Sequence, residues 1–149
     1  LNSYLKEVVI SFKEISNKNF NINTEQDTNS FNIKKSIEII YGIRNFIGNA
    51  NKYAKKNIYV SIKSDSETSE IVIEDDGPGF SKDILAKIGE PYIKSLRTKD
   101  KQKAGLGLGI FIGKTLLEKN FAKILFRNSE TRGGAEIKIE WTNKNLIKI

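Results

Sequence analysis

The chain has 149 residues, enough for one domain that buries roughly 68 to 70% of its unfolded surface. It contains no cysteine and no histidine, which excludes disulfides, Cys or His metal sites, thiol nucleophiles and imidazole bases within it, so any metal would need oxygen ligands. The formal net charge of +7 comes from lysines that are mostly spread along the chain, and nucleic acid is therefore not an expected partner. Because methionine is absent even at position 1, we expect the chain to be part of a longer protein.

The first third of the chain predicts two helices separated by a polar segment. Apolar residues recur at helical spacing near the start, at Leu5, Val8, Val9, Phe12 and Ile15. Residues 16–32 are polar and rich in asparagine, and the short apolar stretches "FNIN" and "FNI" predict two edge strands there. From about Ser36 to Lys55 the pattern is clearly helical, with one apolar arc that comprises Ile39, Ile43, Phe46, Ile47, Ala50, Tyr53 and Ala54.

Strands and helices are intermixed over the rest of the chain. "NIYVSIK" and "EIVIED" predict two strands joined by the polar turn "SDSETS", and "SKDILAKI" predicts a short helix capped by Ser81. After a lysine-rich segment at residues 89–104, "GLGLGIFIGKTLLEK" predicts a helix that begins with alternate glycines. "AKILFRN" and "AEIKIEW" predict a closing hairpin around "SETRGG". This order predicts a sheet covered by helices on one face.

The long predicted helix carries polar residues beside its apolar arc. Asn45, Asn49 and Lys52 lie within about 60° of one another on the helix surface. Two asparagines one turn apart cost helix propensity unless they have partners. One interpretation is an asparagine-rich composition with satisfied amides. The other is that their amide oxygens bind Mg²⁺, directly or through its waters, while Lys52 reaches a phosphate.

The stretch "EDDGPGF" places a carboxylate at the end of an apolar strand. Asp75 shares strand parity with Ile71 and Ile73, so it faces the core side of the sheet, where a carboxylate needs a donor. The amino group of adenine would be such a donor, and Gly77 and Gly79 would let the backbone pass close to the ring. An ordinary tight turn after a strand is the alternative.

The glycine run "GLGLG" predicts an anion site at a helix N-terminus. Alternate glycines leave backbone N–H groups free to meet an anion, and the helix dipole favours negative charge there. Close packing of the helix on the sheet is the alternative, and the spacing fits neither the dinucleotide fingerprint nor the P-loop. The lysine-rich segment "GEPYIKSLRTKDKQKA" before it is either a solvated loop or a lid that closes over phosphates.

Taken in order, these motifs resemble the ATP-binding fold shared by sensor histidine kinases, Hsp90, gyrase B and MutL. They are Asn-x₃-Asn-Ala-x₂-Tyr on a helix, Asp-x-Gly-x-Gly after a strand, a lid, and Gly-x-Gly-x-Gly opening a helix, over about residues 36–141. The resemblance implies an α/β two-layer sandwich, the Bergerat fold, with a mixed and mainly antiparallel sheet covered on one face by helices. It also implies ATP and Mg²⁺ as ligands, bound under a mobile lid.

The resemblance implies a role for each matching residue. Asn49 would be the Mg²⁺ ligand, and Asn45 would be its catalytic partner near the phosphates. Lys52 would contact phosphate and Tyr53 would line the pocket, while Asp75 would bind the adenine amino group beside Gly77 and Gly79. The remaining phosphate contacts would come from Lys94 in the lid and from the run Gly105, Leu106, Gly107, Leu108 and Gly109.

The residue four positions before the metal-binding asparagine distinguishes the branches of this superfamily. The ATP-hydrolysing branches that resemble Hsp90 and gyrase carry a glutamate general base four residues before the metal-binding asparagine, whereas this chain has Asn45, which cannot take a proton at neutral pH. The resemblance therefore favours the catalytic domain of a sensor histidine kinase. "YGIRNFIGNA", "GEPY" and "GLGLGIFIGKTLLEK" are most similar to the redox-responsive bacterial sensor kinases, although Tyr92 and Ala135 stand where phenylalanine and threonine are common. A gyrase-like or Hsp90-like ATPase module is the alternative, and a scaffold that has lost nucleotide is a third reading.

The kinase interpretation implies partners outside this chain. Since the chain has no histidine, the phosphoacceptor would lie on a separate dimerisation domain, and a response regulator would act downstream. Residues 1–15 are expected to be a residual helix that follows that dimerisation domain, and residues 16–149 a single catalytic domain. The parent protein is expected to be a homodimer anchored in the inner membrane, with this domain in the cytoplasm.

Overall fold

Helices and strands are intermixed along the computed structural model, which describes residues 2–26, 34, 36–88 and 106–148. The helices in these residues are α1 (Asn2–Lys13), α2 (Ile37–Tyr53), α3 (Lys82–Lys87), α4 (Leu106–Lys119) and α5 (Asn143–Leu146). The strands are β1 (Asn19–Gln26), β2 (Asn57–Ser64), β3 (Thr68–Asp75), β4 (Lys123–Asn128) and β5 (Ala135–Thr142). The predicted long helix, the capped short helix, the central strand pair and the closing hairpin are all confirmed.

The five strands form one sheet in the order β1-β2-β3-β5-β4. β1 runs parallel to β2, and the other neighbouring pairs are antiparallel. Strand parity sends one set of side chains to the core, including Ile58, Val60, Ile71, Ile73, Ile137 and Ile139. The opposite face carries charged residues such as Glu70 and Lys138, which form an ion pair. The prediction of a mixed, mainly antiparallel sheet covered by helices on one face is therefore confirmed.

Helix α2 is the central helix of the helical layer. Ser36 caps it and accepts a hydrogen bond from Ile39 N. Every residue of the predicted apolar arc is buried. Helix α4 packs unusually close to α2, because a Cβ at Gly42 would lie 2.5 Å from Leu117 Cγ and one at Gly113 would lie 2.7 Å from the Phe46 ring. This close packing sets the first turn of α4 beside the polar stripe of α2.

The chain termini differ from the sequence-based expectation in detail. Helix α1 ends at Lys13, where Ile15 N and Ser16 N both donate to Phe12 O in a closing turn, so Ile15 is exposed and does not extend the apolar face. Of the two expected edge strands, "FNIN" lies in β1, and "FNI" at 31–33 lies outside the described residues. Helix α5, capped by Thr142, was not predicted. Among the described residues, no helix is long and apolar enough to cross a membrane.

Candidate functional site

A cavity of about 430 Å³ opens beside the polar stripe of α2. Its described lining comes from α1, α2 and α4 and consists of Phe12, Tyr41, Arg44, Asn45, Gly48, Asn49, Lys52 and Gly109. The structure therefore brings Asn45, Asn49 and Lys52 together with Gly109, although Gly109 lies about sixty residues further along the chain. Helical periodicity alone places the first three on one face, and the close packing of α4 supplies the fourth.

Asn45 presents its amide oxygen at the α4 side of this cavity, which Asn49 also lines. Asn45 Nδ2 donates to Tyr41 O at 2.8 Å within α2. That bond turns Asn45 Oδ1 towards α4, where a Cβ on Gly109 would lie 3.6 Å from it. Asn49, one turn further, is only 5% exposed. The arrangement provides oxygen donors of the kind that a hard cation prefers.

Two cationic side chains border the same cavity. Lys52 and Arg44 are both exposed, and neither forms an ion pair with another described residue. The Arg44 guanidinium lies 5.9 Å from the centroid of the Phe12 ring, within cation–π range. The Phe12 ring in turn lies across Gly48, because a Cβ there would be 3.3 Å from Phe12 Cζ. The cavity is thus positively charged and suited to an anion.

Asp75 lies beside the C-terminal end of α2 and is not among the described lining residues of the cavity. It is 1% exposed at the end of β3 and faces the core side, as its parity predicted. Its Oδ1 accepts from Gly77 N at 2.9 Å and from Ala135 N at 3.3 Å. The turn after Asp75 touches the last residue of α2, since a Cβ on Gly77 would lie 2.2 Å from Tyr53 O. Asp75 is therefore held beside Tyr53, which is itself buried.

The polar residues therefore form two groups along one helix. Asn45 and Tyr53 are eight residues apart on α2, which corresponds to about 12 Å along the helix axis, and Asn49 and Lys52 lie between them. One group has two amide oxygens and cations around an open cavity, and the other has a buried carboxylate beside an aromatic residue. Such spacing suits an elongated ligand with an anionic end and a planar hydrogen-bonding end.

The glycines of the Asp75 turn are required by packing in the protein itself. Gly77 meets the Tyr53 carbonyl, and Gly79 has φ +75, a conformation that favours glycine. Gly134, which the sequence reasoning did not single out, lies against Asp75, because a Cβ there would be 2.3 Å from both Asp75 O and Asp75 Oδ1. These glycines bring three backbone segments close to one carboxylate.

Asp76, the second carboxylate of the pair, has a structural role. It accepts from the backbone N–H groups of Lys55, Lys56 and Asn57 at 2.7 to 3.1 Å, and from Asn57 Nδ2 at 3.2 Å. Burial acts to raise the pKa of Asp76, but the hydrogen bonds from Lys56, Asn57 and Lys55 outweigh it and leave that pKa below its usual value. Asp76 thus ties the α2–β2 connection to the end of β3.

The predicted site and the observed cavity lining differ in several residues. Lys94, Gly105 and the whole lid lie outside the described residues, while Leu106 and Gly107 begin α4 and Leu108 is exposed in its first turn. The sequence reasoning missed Tyr41, Arg44 and Gly48. Their helical spacing relative to Asn45, Asn49 and Lys52 was a signal that could have indicated them. No comparable signal indicated Phe12, which reaches the cavity from α1.

Comparison with protein families and curated sequences gives consistent matches. The profile of the family described as "Histidine kinase-, DNA gyrase B-, and HSP90-like ATPase" matches residues 34–145. Sensor histidine kinase RegB of Cereibacter sphaeroides is 32% identical over 127 residues, which cover 75% of this chain and 28% of that protein. Sensor protein kinase PilS of Pseudomonas aeruginosa is 31% identical over 115 residues, which cover 76% of this chain and 20% of that protein. The chain thus spans about a quarter of the length of these relatives.

Among solved structures, the nucleotide-free catalytic domain of histidine kinase ThkA superposes with a TM-score of 0.76 at 22% identity, covering 95% of this chain and 91% of that one. A mycobacterial sensor histidine kinase, MprB, gives a TM-score of 0.74 at 18% identity, covering 95% and 93%. These likenesses establish the fold.

Proposed function

We propose a function from one premise, that the chain belongs to the histidine kinase-, DNA gyrase B- and HSP90-like ATPase family. The chain is the ATP-binding catalytic domain of a sensor histidine kinase. It binds Mg-ATP and delivers the γ-phosphate to a histidine on a separate dimerisation domain. The observation that carries this proposal is the arrangement along α2, where Asn45, Asn49 and Lys52 line an open cavity and the buried Asp75 lies beside the C-terminal residue Tyr53.

At the base end, Asp75 would accept a hydrogen bond from the adenine amino group. Two backbone N–H groups already hold Oδ1 in place, so the carboxylate is oriented before a ligand arrives. A fixed acceptor of this kind loses little conformational freedom on binding and discriminates against a base that presents an acceptor at the same point.

At the phosphate end, the residues present fit Mg²⁺. Amide oxygens of Asn49 and Asn45 are suitable ligands for a hard cation. Within the described residues no group of three or more His, Cys, Asp or Glu could hold a metal ion, so the amides together with the nucleotide's own phosphates would do so. The ion, when bound, would neutralise charge on the phosphates. Lys52 adds a positive charge to the same cavity, and the proposed lid cation Lys94 would add another.

The described lining of the cavity favours phosphoryl transfer over hydrolysis. It contains no aspartate or glutamate, so no described carboxylate there can accept a proton from an attacking water. In transfer, an imidazole nitrogen bonds to the γ-phosphorus as the bond to the β–γ bridging oxygen breaks and ADP leaves. Positioning and charge neutralisation are the main demands of this step.

The remaining partners of the proposal come from the relatives. Because the relatives are named sensor kinases, a response regulator would receive the phosphoryl group, and the parent would be a homodimer anchored in the inner membrane with this domain in the cytoplasm. Residues 1–15 would connect the dimerisation domain to the catalytic domain of residues 16–149. Leu5, Val8 and Val9 of α1 are buried in the shared core, which would fix the direction of that connection.

The first test is a calorimetric titration with a non-hydrolysable ATP analogue, with and without Mg²⁺. One-to-one, Mg-dependent binding is expected. Labelled ATP and an added histidine-bearing dimerisation domain should then give label on that domain and little free phosphate. Steady phosphate release by the chain alone, abolished by Asp75→Asn, would instead support a gyrase-like or Hsp90-like ATPase. Absence of binding in both conditions would contradict the nucleotide site.

A further inference from the structure

The turn that follows Asp75 is hydrogen-bonded to β4 through the side chain of Asn128. Asn128, the last residue of β4, accepts a hydrogen bond from Phe80 N at 2.6 Å through Oδ1. Its Nδ2 donates to Phe80 O at 2.8 Å. One amide therefore pairs with both backbone polar groups of Phe80, as a neighbouring strand would do.

The fit between this amide and the turn is close. Gly79 adopts φ +75, and a Cβ there would lie 2.7 Å from Asn128 Oδ1. The ring of Phe80 is buried and meets Phe126 of β4 edge-on, with the ring centroids 6.5 Å apart. Residues 77–80, here called the base turn, are thus seated on β4 by a polar contact and an aromatic contact two residues apart.

The same hairpin also orients Asp75. Asn128 is paired with Ala135 across the β4–β5 ladder, and Ala135 N donates to Asp75 Oδ1 at 3.3 Å. Ser129 N donates to Gly134 O at 2.7 Å and closes the hairpin. Ala135 therefore holds Asp75, and Asn128 holds the base turn. The hairpin that joins these two residues thus sets the position of the turn relative to the Asp75 carboxylate.

We propose that Asn128 is a positioning residue for base recognition, which holds the base turn at the position where Asp75 and the turn together select adenine. This inference rests on the proposed function and goes beyond it by assigning base selectivity to the β4–β5 hairpin. Asn128 acts through the base turn. Within the phosphate end of the site, Asn45 lies about 12 Å along α2 from Tyr53, the residue that Gly77 of the base turn contacts.

The test compares binding of non-hydrolysable ATP and GTP analogues to wild type and Asn128→Ala by calorimetry, together with thermal unfolding of each protein. Loss of both hydrogen bonds frees the base turn, which binding would then have to order, so affinity for the ATP analogue should fall about tenfold. Affinity for the GTP analogue should stay the same, and the ATP to GTP ratio should fall accordingly. In an Asp75→Asn background, Asn128→Ala should add little further loss, because both changes act on one contact.

Asn120→Ala is the matched control. Asn120 Nδ2 also donates to a backbone carbonyl, Leu116 O at 2.8 Å, and to Glu38 at 2.7 Å, but at the far end of α4. This variant should lower the unfolding temperature and leave the nucleotide ratio unchanged. Asn128→Asp, which keeps the acceptor for Phe80 N and removes the donor to Phe80 O, should lower the ratio if the alanine variant does not fold.

Two results would overturn the role of Asn128 while leaving the proposed function intact. One is a wild-type ATP to GTP ratio in the Asn128 variants. The other is an equal loss of both nucleotides that tracks the fall in unfolding temperature, as in the Asn120 control. If wild type binds neither analogue, the proposed function itself is wrong, and the role of Asn128 falls with it.

Discussion

Asp75 and Asp76 are neighbouring carboxylates with different surroundings. Strand parity turns Asp75 to the core side, where only 1% of the residue is exposed, and sends Asp76 to the connection between α2 and β2. Asp75 accepts from the base turn and from the β4–β5 hairpin, whereas Asp76 accepts from three consecutive backbone N–H groups. One residue therefore serves the proposed binding site, and the other serves the fold.

Asp75→Asn separates these two roles. The asparagine can keep Oδ1 as the acceptor for Gly77 N and Ala135 N, while its NH₂ group replaces an oxygen that would accept from adenine. We expect affinity for an ATP analogue to fall by roughly 1 to 3 kcal/mol with little change in unfolding temperature. Calorimetry and thermal unfolding measure the two effects. Asp76→Asn is the control and should lower the unfolding temperature instead. Equal affinity of wild type and Asp75→Asn would contradict the adenine assignment.

The substitution Gly109→Ala tests whether the glycine run serves ligand binding or helix packing. A Cβ there would make only an ordinary contact, 3.6 Å from Asn45 Oδ1. Gly109→Ala should therefore leave the free energy of unfolding unchanged or raise it by up to about 1 kcal/mol, because alanine is the better helix former. Affinity for the ATP analogue should fall, since the methyl group enters the phosphate end of the cavity.

Gly113→Ala is the matched control for Gly109→Ala, one turn further along α4. Its Cβ would lie 2.7 Å from the Phe46 ring, so it should reduce stability through overpacking. If Gly109→Ala leaves nucleotide affinity unchanged, the glycine run serves the packing of α4 alone.

At the scale of elements, α2 connects both ends of the proposed site, and α4 completes the phosphate end. The contact between them depends on glycine at Gly42 and Gly113, which lets the two backbones approach. The backbone conformation that follows the C-terminal end of α4 is less favourable. It closes with Ala122 N donating to Leu117 O at 3.0 Å, and the residue before it, Phe121, has φ 67. Glycine is the residue that this left-handed position favours.

Phe121→Gly is therefore expected to be more stable than Phe121→Ala. Both variants lose the burial of the ring, which is 55% exposed, but only glycine relieves the left-handed backbone, so its free energy of unfolding should be higher by about 1 kcal/mol. Urea unfolding measures the change. Phe121→Ala keeps the Cβ that causes the strain and should gain nothing. Equal stability of the two variants would show that the backbone conformation at this position is not strained.

At the scale of the whole molecule, several carboxylates favour the folded state through their hydrogen bonds. Besides Asp76, Asp65 has its pKa lowered by the backbone N–H groups of Thr68 and Glu67. The pKa of Glu38 is lowered by hydrogen bonds from Lys119 and Asn120. A carboxyl group whose pKa is lower in the folded than in the unfolded protein stabilises the fold above its unfolded pKa. That contribution is lost as the pH falls towards the folded value.

We therefore expect stability to change little from about pH 8 to about pH 5, since the chain has no histidine to titrate there. Stability should fall below about pH 4, as these carboxylates are protonated. Thermal unfolding across this range measures the profile. The difference between wild type and Asp76→Asn should be full at neutral pH and should shrink below about pH 4. A constant difference across that range would contradict the role of the Asp76 hydrogen bonds.

Local periodicity in the sequence was enough to predict several features of the fold and of the site. The spacing of 3.6 residues per turn predicted the buried arc of α2 and put Asn45, Asn49 and Lys52 on one face. The alternation of a strand predicted that Asp75 faces the core, and Ser81 as a helix cap predicted where α3 begins. Each of these depends on residues within a turn or two of one another, which is why a single sequence reveals them.

The distant segments that meet around Asp75 could not be predicted from local patterns. Asn128 holds Phe80 from 48 residues away, and Ala135 holds Asp75 from 60 residues away. Both contacts exist because β5 lies between β3 and β4 in the sheet, and the packing of Gly42 against Leu117 depends likewise on where α4 lies. Strand order and helix packing result from burying one shared core rather than from any local pattern, so these partners become visible only once the chain is folded.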